Sequence, residues 1–168
     1  MCFSRTRTEL VEGIEIRGTA RFRLRTRESL AALRAISEFE LIRGHIGVIR
    51  QGKRSGMKAW ADKPTFVVGK ATWGHSAVWY AGAIAHDAFH AKLYIDARQA
   101  RNGKSPDADA WTGAASEKQC LSFQRRILTR LGADEKTLAY IDECASNPTY
   151  QGRHKGWLSW LDYLKRRW

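Results

Sequence analysis

The chain reads as a single α+β domain: a small twisted, mainly antiparallel sheet packed on helices, with a helical C-terminal part. Three observations predict it. Apolar residues alternate with period two near the N-terminus, they recur at helical spacing through the second half, and no repeat or low-complexity stretch marks off a second domain. At 168 residues, 43% of them hydrophobic, the chain is long enough to bury one sizeable core.

Residues 1–12 read as an N-terminal arm, and 13–76 as the sheet with a first helix. From Gly13 to Arg25, Ile14, Ile16, Ala20, Phe22 and Leu24 fall on one face, with Glu15, Arg17, Arg21, Arg23 and Arg25 on the other. That is the pattern of a half-buried strand. Its arginine stripe either meets phosphates or blunts a solvated edge, and Gly18 marks a bulge or bend. Thr26 offers an N-cap for a helix over Arg27–Arg43, carried by Leu30, Leu33 and Ile36 and ended by Gly44 or Gly47. Ile46–Ile49 reads as a second strand, QGKRSG as a loop and Thr65–Thr72 as a third strand.

Residues 77–131 hold two helices. The first runs over Ala77–Ala100, and its small residues Ala81, Gly82, Ala83 and Ala85 suit close approach by neighbours. A surface loop, Asn102–Asp109, leads to a second helix over Ser116–Leu131 that Gly132 stops. Residues 132–168 add a helix over Asp134–Ala145, broken by Asn147 and Pro148. A last segment, Trp157–Trp168, puts Trp157, Trp160, Leu161 and Leu164 on one face beside terminal basic residues. Such a stripe docks on its own domain or lies on a membrane surface.

The charge balance narrows the partners. Lys and Arg number 29 against 17 Asp and Glu, giving a formal charge of +12, so the surface attracts polyanions such as nucleic acid, or the charge serves solubility. Cys2, Cys120 and Cys144 form no CxxC pair and no even framework, which suits a reducing compartment, with a Cys120–Cys144 bridge the remaining pairing. The N-terminus lacks the apolar core of a signal peptide and no run suffices for a transmembrane segment, so a cytoplasmic location is expected.

The chemistry concentrates in VWYAGAIAHDAFHAKLY. His86 and His90, four residues apart, stack on one helix face with Cβ atoms about 5–6 Å apart, within reach of one metal. Asp87 lies between them. Catalytic zinc usually takes a third protein ligand, and Glu117, 27 residues past His90 at the start of the next helix, is the candidate; an acid there also suits the helix dipole. Cys120, one turn beyond Glu117, is either a thiolate ligand or a small buried hydrophobe. Tyr150, His154 and His75 are candidates to stabilise an oxyanion.

HDAFH at His86–His90 and GAASEKQC at Gly113–Cys120, in a chain ordered as strand, helix, strands, metal helix and glutamate helix, resemble the gluzincin metallopeptidases. The closest likeness is to their reduced single-domain versions, the minigluzincins, over about Ile14–Leu131. The resemblance implies a zincin-like fold, a zinc ion (Zn2+) held by His86, His90 and Glu117, a peptide or protein substrate, and Asp87 as the general base. It also implies that the strand before the metal helix, here Thr65–Trp73, binds substrate by β-augmentation. The family carries glutamate where this chain has Asp87, and the lost methylene withdraws the carboxylate by about 1.5 Å. With that departure Asp87 is a poor base, a base in compensated geometry or a supporting partner in a metal protein that does not hydrolyse peptides. Two further readings stand beside the peptidase: a catalytically weak or inactive metal-binding module acting through its basic surface on nucleic acid, and a protein-cleaving effector or toxin domain.

Overall fold

The computed structural model describes residues 7–147. Strands β1 (Arg7–Val11) and β2 (Ile14–Gly18) form a hairpin. It closes through Glu12 and Gly13, both at positive φ (52° and 83°), the geometry of a two-residue turn that matches strand twist. Helices α1 (Ala20–Arg34) and α2 (Phe39–His45) lead to β3 (Val48–Gln51), then β4 (Gly56–Lys58) and β5 (Thr65–Val68) complete the sheet. After the single turn α3 (Lys70–Trp73) come the long α4 (Ala77–Ala100), the single turn α5 (Asp109–Thr112), α6 (Ala114–Arg130) and α7 (Glu135–Ser146).

The architecture is α+β, but the sheet is mixed rather than mainly antiparallel. Its order is β1-β2-β3-β5-β4. β2, β3 and β5 run parallel, while β1 and β4 lie antiparallel at the two edges. The helical connection from β2 to β3, and the excursion through β4 before β5, return the chain in the same direction, as parallel pairing requires. β5 is therefore interior, paired on both sides, and cannot accept an added strand as the Thr65–Trp73 expectation required; β4 is the edge nearest α4.

The expected strand over Gly13–Arg25 ends at Gly18. A Cβ at Gly18 would lie 2.5 Å from the Phe22 ring and 2.9 Å from Gln51 Cβ, and Thr19 there caps α1, its hydroxyl accepting the Phe22 amide at 3.3 Å. Helical and strand spacing agree on Phe22, which is buried in either case, and disagree on Leu24, which is 46% exposed. Thr26 is no cap: fully buried inside α1, it donates to Phe22 O and sits 2.9 Å from the Tyr80 hydroxyl. The single helix expected over Arg27–Arg43 is two, α1 and α2, parted at Ala35, and Gly44 has open space where a side chain would go. β1 formed where an arm was expected, and Thr65–Thr72 divides into β5 and α3.

α4 spans the predicted Ala77–Ala100, with Ser76 accepting the Trp79 amide at 3.1 Å as N-cap. α6 and α7 lie within two residues of their predicted limits, Asp134 capping α7 through the Thr137 amide at 2.7 Å. The core lies between the sheet and α1, α2, α4 and α6, built on Ile14, Ile16, Phe22, Leu30, Ile49, Phe66, Ile84 and Ile127. Cys120 and Cys144 are not bridged to each other. No helix among the described residues is long and apolar enough to cross a membrane. The basic aromatic segment Trp157–Trp168 lies outside the described residues.

Candidate metal centre

α4 and α6 meet because α4 presents almost no side chain where they cross. A Cβ at Gly82 would come within 2.7 Å of Leu128 Cδ2 and 2.9 Å of Leu128 Cγ, so only glycine permits the observed spacing. About two turns further along α4, Phe89 stacks on Phe123 with centroids 4.9 Å apart. The two helices are antiparallel, and their crossing carries the first turns of α6 to the middle of α4, where the histidines are.

There His86, His90 and Glu117 come together as the sequence predicts. Their polar atoms form a tight knot: His90 Nε2 lies 3.1 Å from His86 Nε2 and 3.1 Å from Glu117 Oε2, and His86 Nε2 lies 3.4 Å from Glu117 Oε1. His90 and Glu117 are buried and His86 is half-buried. Four-coordinate zinc with bonds of about 2.0–2.1 Å has ligand-to-ligand edges of about 3.3 Å, which these separations match.

A backbone carbonyl decides the state of His90. Its Nδ1 lies 2.6 Å from Trp111 O in α5, and a carbonyl only accepts, so Nδ1 carries a proton and Nε2 is the atom that faces His86 and Glu117. This is the outer-shell support that metal-bound histidines ordinarily have. α5 is itself held by the Ser116 hydroxyl, which donates to Asp109 O at 3.1 Å. Trp111's part is not legible in the sequence, since a main-chain acceptor leaves no side-chain signature, and α5 begins at the end of a segment expected to be loop.

The electrostatics agree. Burial lowers the basicity of the His90 imidazole, but the Cys120 sulfur and the Glu117 carboxylate outweigh it and raise its pKa to about 11. Positive charge on the His90 ring is thus favoured beside the Glu117 carboxylate. A single proton on His90 Nε2 serves one contact, whereas two imidazole nitrogens and two carboxylate oxygens converge. Asp87 is half-buried and makes no hydrogen bond or ion pair among the described residues; burial raises its carboxyl to about 7, with the Glu117 charge adding to the rise and His90 opposing it. Cys120 Sγ belongs to the same cluster: one ligand atom each from His86, His90 and Cys120 all lie within 4.8 Å of one another. Burial raises the Cys120 thiol above its ordinary value.

Other expected site residues fall elsewhere. His75 precedes the first turn of α4, 11 residues before His86, roughly 16 Å along the helix axis. Its ring packs on Trp79 and its carbonyl accepts from Arg25, so it is not placed to stabilise an oxyanion beside the histidines. Tyr150 and His154 lie outside the described residues. The arginine stripe lies partly on α1, and three of its four arginines pair within the protein: Arg17 with Glu15, Arg23 with Glu9 at 3.3 Å and Arg25 with Glu28 at 2.7 Å.

Comparison with protein-family models, with characterised proteins and with solved structures finds no match to this chain.

Proposed function

We propose that this protein binds one zinc ion through His86, His90 and Glu117 and hydrolyses peptide bonds at that site, in a zincin-like arrangement. The observation that carries the reading is the convergence of two imidazole nitrogens and a carboxylate at 3.1–3.4 Å, with His90 fixed in the ligating tautomer by Trp111 O. The donor set fits zinc, for which two histidines and a glutamate are an established catalytic combination. Bound there, zinc would polarise a scissile carbonyl and bring the pKa of a water towards about 7.

The chain's own residues supply the rest. Asp87, unpaired and one residue from His86, takes the proton of the attacking water on a carboxylate oxygen and returns it to the leaving amine nitrogen. β4, the sheet edge beside α4, offers free backbone groups to an extended peptide; Met57 of β4 packs with Ala91 and Tyr94, just past His90. Trp60, 58% exposed and edge-on to Trp111 at 5.8 Å, adds an apolar wall for a substrate side chain.

Zinc-loaded full-length protein and Asp87→Asn, assayed on a mixture of unstructured peptides, test the reading. Hydrolysis is expected to fall by about 10²–10⁴-fold in the variant with zinc content unchanged. Equal hydrolysis by both proteins would remove Asp87 from the mechanism, and no hydrolysis by the wild type would leave metal binding alone.

A further inference from the structure

α6 presents two ligand-type side chains to the histidines. Glu117 and Cys120 are three residues apart, hence on one helix face, and Cys120 is fully buried with its sulfur in the histidine cluster. The other buried cysteine, Cys144, sits in a separate apolar cluster with Leu121, Leu128 and Ile141. Burial alone therefore does not bring a thiol to the histidines; the register of α6 does.

We infer that Cys120 is a fourth protein ligand, closing a His86–His90–Glu117–Cys120 shell around the ion; this rests on the zinc site proposed above. With zinc–sulfur bonds of about 2.3 Å and zinc–nitrogen bonds of about 2.0–2.1 Å, a tetrahedral sulfur–nitrogen edge is about 3.6 Å. The atoms of His86, His90 and Cys120 already lie within 4.8 Å of one another, so the sulfur reaches an ion held by the two imidazoles by movement of about an ångström at a one-carbon side chain. On binding, the S–H bond breaks, a sulfur–metal bond forms and the proton passes to solvent. No oxidant or other reactant takes part.

The consequence is regulatory. Three protein ligands leave a position for water, and four do not. Cys120 therefore competes with water for that position: hydrolysis is slowed while the sulfur is bound and proceeds once it has left and regained a proton. Specificity of the site for zinc over harder cations follows as well, because a thiolate disfavours magnesium and calcium.

Cobalt chloride titration of the full chain, followed by absorption spectroscopy, tests this without relying on activity. The double variant C2S/C144S leaves Cys120 as the sole cysteine. Stoichiometric cobalt with a sulfur-to-cobalt charge-transfer band in that protein is expected, and C120S should lose the band and bind zinc about 100-fold more weakly or worse, beyond the effect of losing an outer-shell partner. Stoichiometric cobalt with no charge-transfer band in C2S/C144S would overturn the role of Cys120 and leave the three-ligand site standing. Absence of cobalt binding in the wild type would overturn both. Because the decisive spectrum comes from a protein that retains Cys120, a folding failure of C120S does not blunt the test.

Discussion

Gly82→Ala probes whether the close crossing of α4 and α6 is what assembles the centre. The added Cβ would lie 2.7 and 2.9 Å from Leu128 Cδ2 and Cγ, against about 3.5–4.0 Å for an ordinary carbon contact. Leu128 is fully buried, so either it is forced from its rotamer or the helices part by about an ångström. Alanine is the better helix former by about 0.8–1.0 kcal/mol, whereas overpacking a core costs about 1–3 kcal/mol. The net expectation is a loss of about 0–2 kcal/mol in chemical denaturation. The larger effect falls one to two turns away, where parting the helices lengthens the 3.1 and 3.4 Å separations between the histidines and Glu117. Zinc affinity, measured by competition with a chromophoric chelator, should fall by about tenfold or more, as for a disturbed outer shell. Leu128→Val in the Gly82→Ala background removes atoms from the clash and should recover part of both losses. A Gly82→Ala protein that gains the full propensity benefit and binds zinc as the wild type does would refute the argument.

Two further outcomes follow from particular contacts. Ser116→Ala removes the hydroxyl that holds α5 at Asp109 O; with α5 loosened, the Trp111 carbonyl no longer fixes His90, and zinc affinity should drop by about 10–100-fold for a stability cost of about 1 kcal/mol. Unchanged affinity on titration would detach α5 from the site. Glu15 is held by Lys63 first and Arg17 next, which lower its pKa from 4.5 to about 2. A depressed folded value means that the ionised carboxylate stabilises the fold above about pH 4.5 and that this contribution is lost as pH falls towards 2. Thermal melts of Glu15→Gln should therefore lie below the wild type at neutral pH and converge with it on acidification; a constant difference across that range would show that the ion pairs are not the cause.

The parts of this molecule legible in its sequence are those where one physical signal acts without a rival. α4 could be bounded to the residue because Ser76 caps it and its apolar, small-residue pattern runs unbroken to Ala100. The meeting of His86, His90 and Glu117 was readable in part: i,i+4 spacing puts the histidines on one face of α4, and 27 residues suffice for the chain to turn back and bring the first turn of the next helix beside them. Where two periods compete, the pattern does not decide: Ala20–Leu24 fits strand alternation as well as a helix turn, and the Thr19 cap settles it, beside a Gly18 that lets the Phe22 ring come close. Sheet order is set by connections rather than by strand composition, so neither the parallel core nor the interior place of β5 was visible. Trp111 acts through its main chain and Gly82 through the absence of a side chain, which leaves no ligand-like signature in either residue.

Metal content bears most directly on the central claim. Full-length protein purified without chelator, dialysed and measured by elemental analysis should hold one zinc per chain, and the His86→Ala and Glu117→Ala proteins, folded by circular dichroism, should hold little or none. A wild type that folds, is offered zinc and retains none, or variants that retain as much as the wild type, would contradict the account.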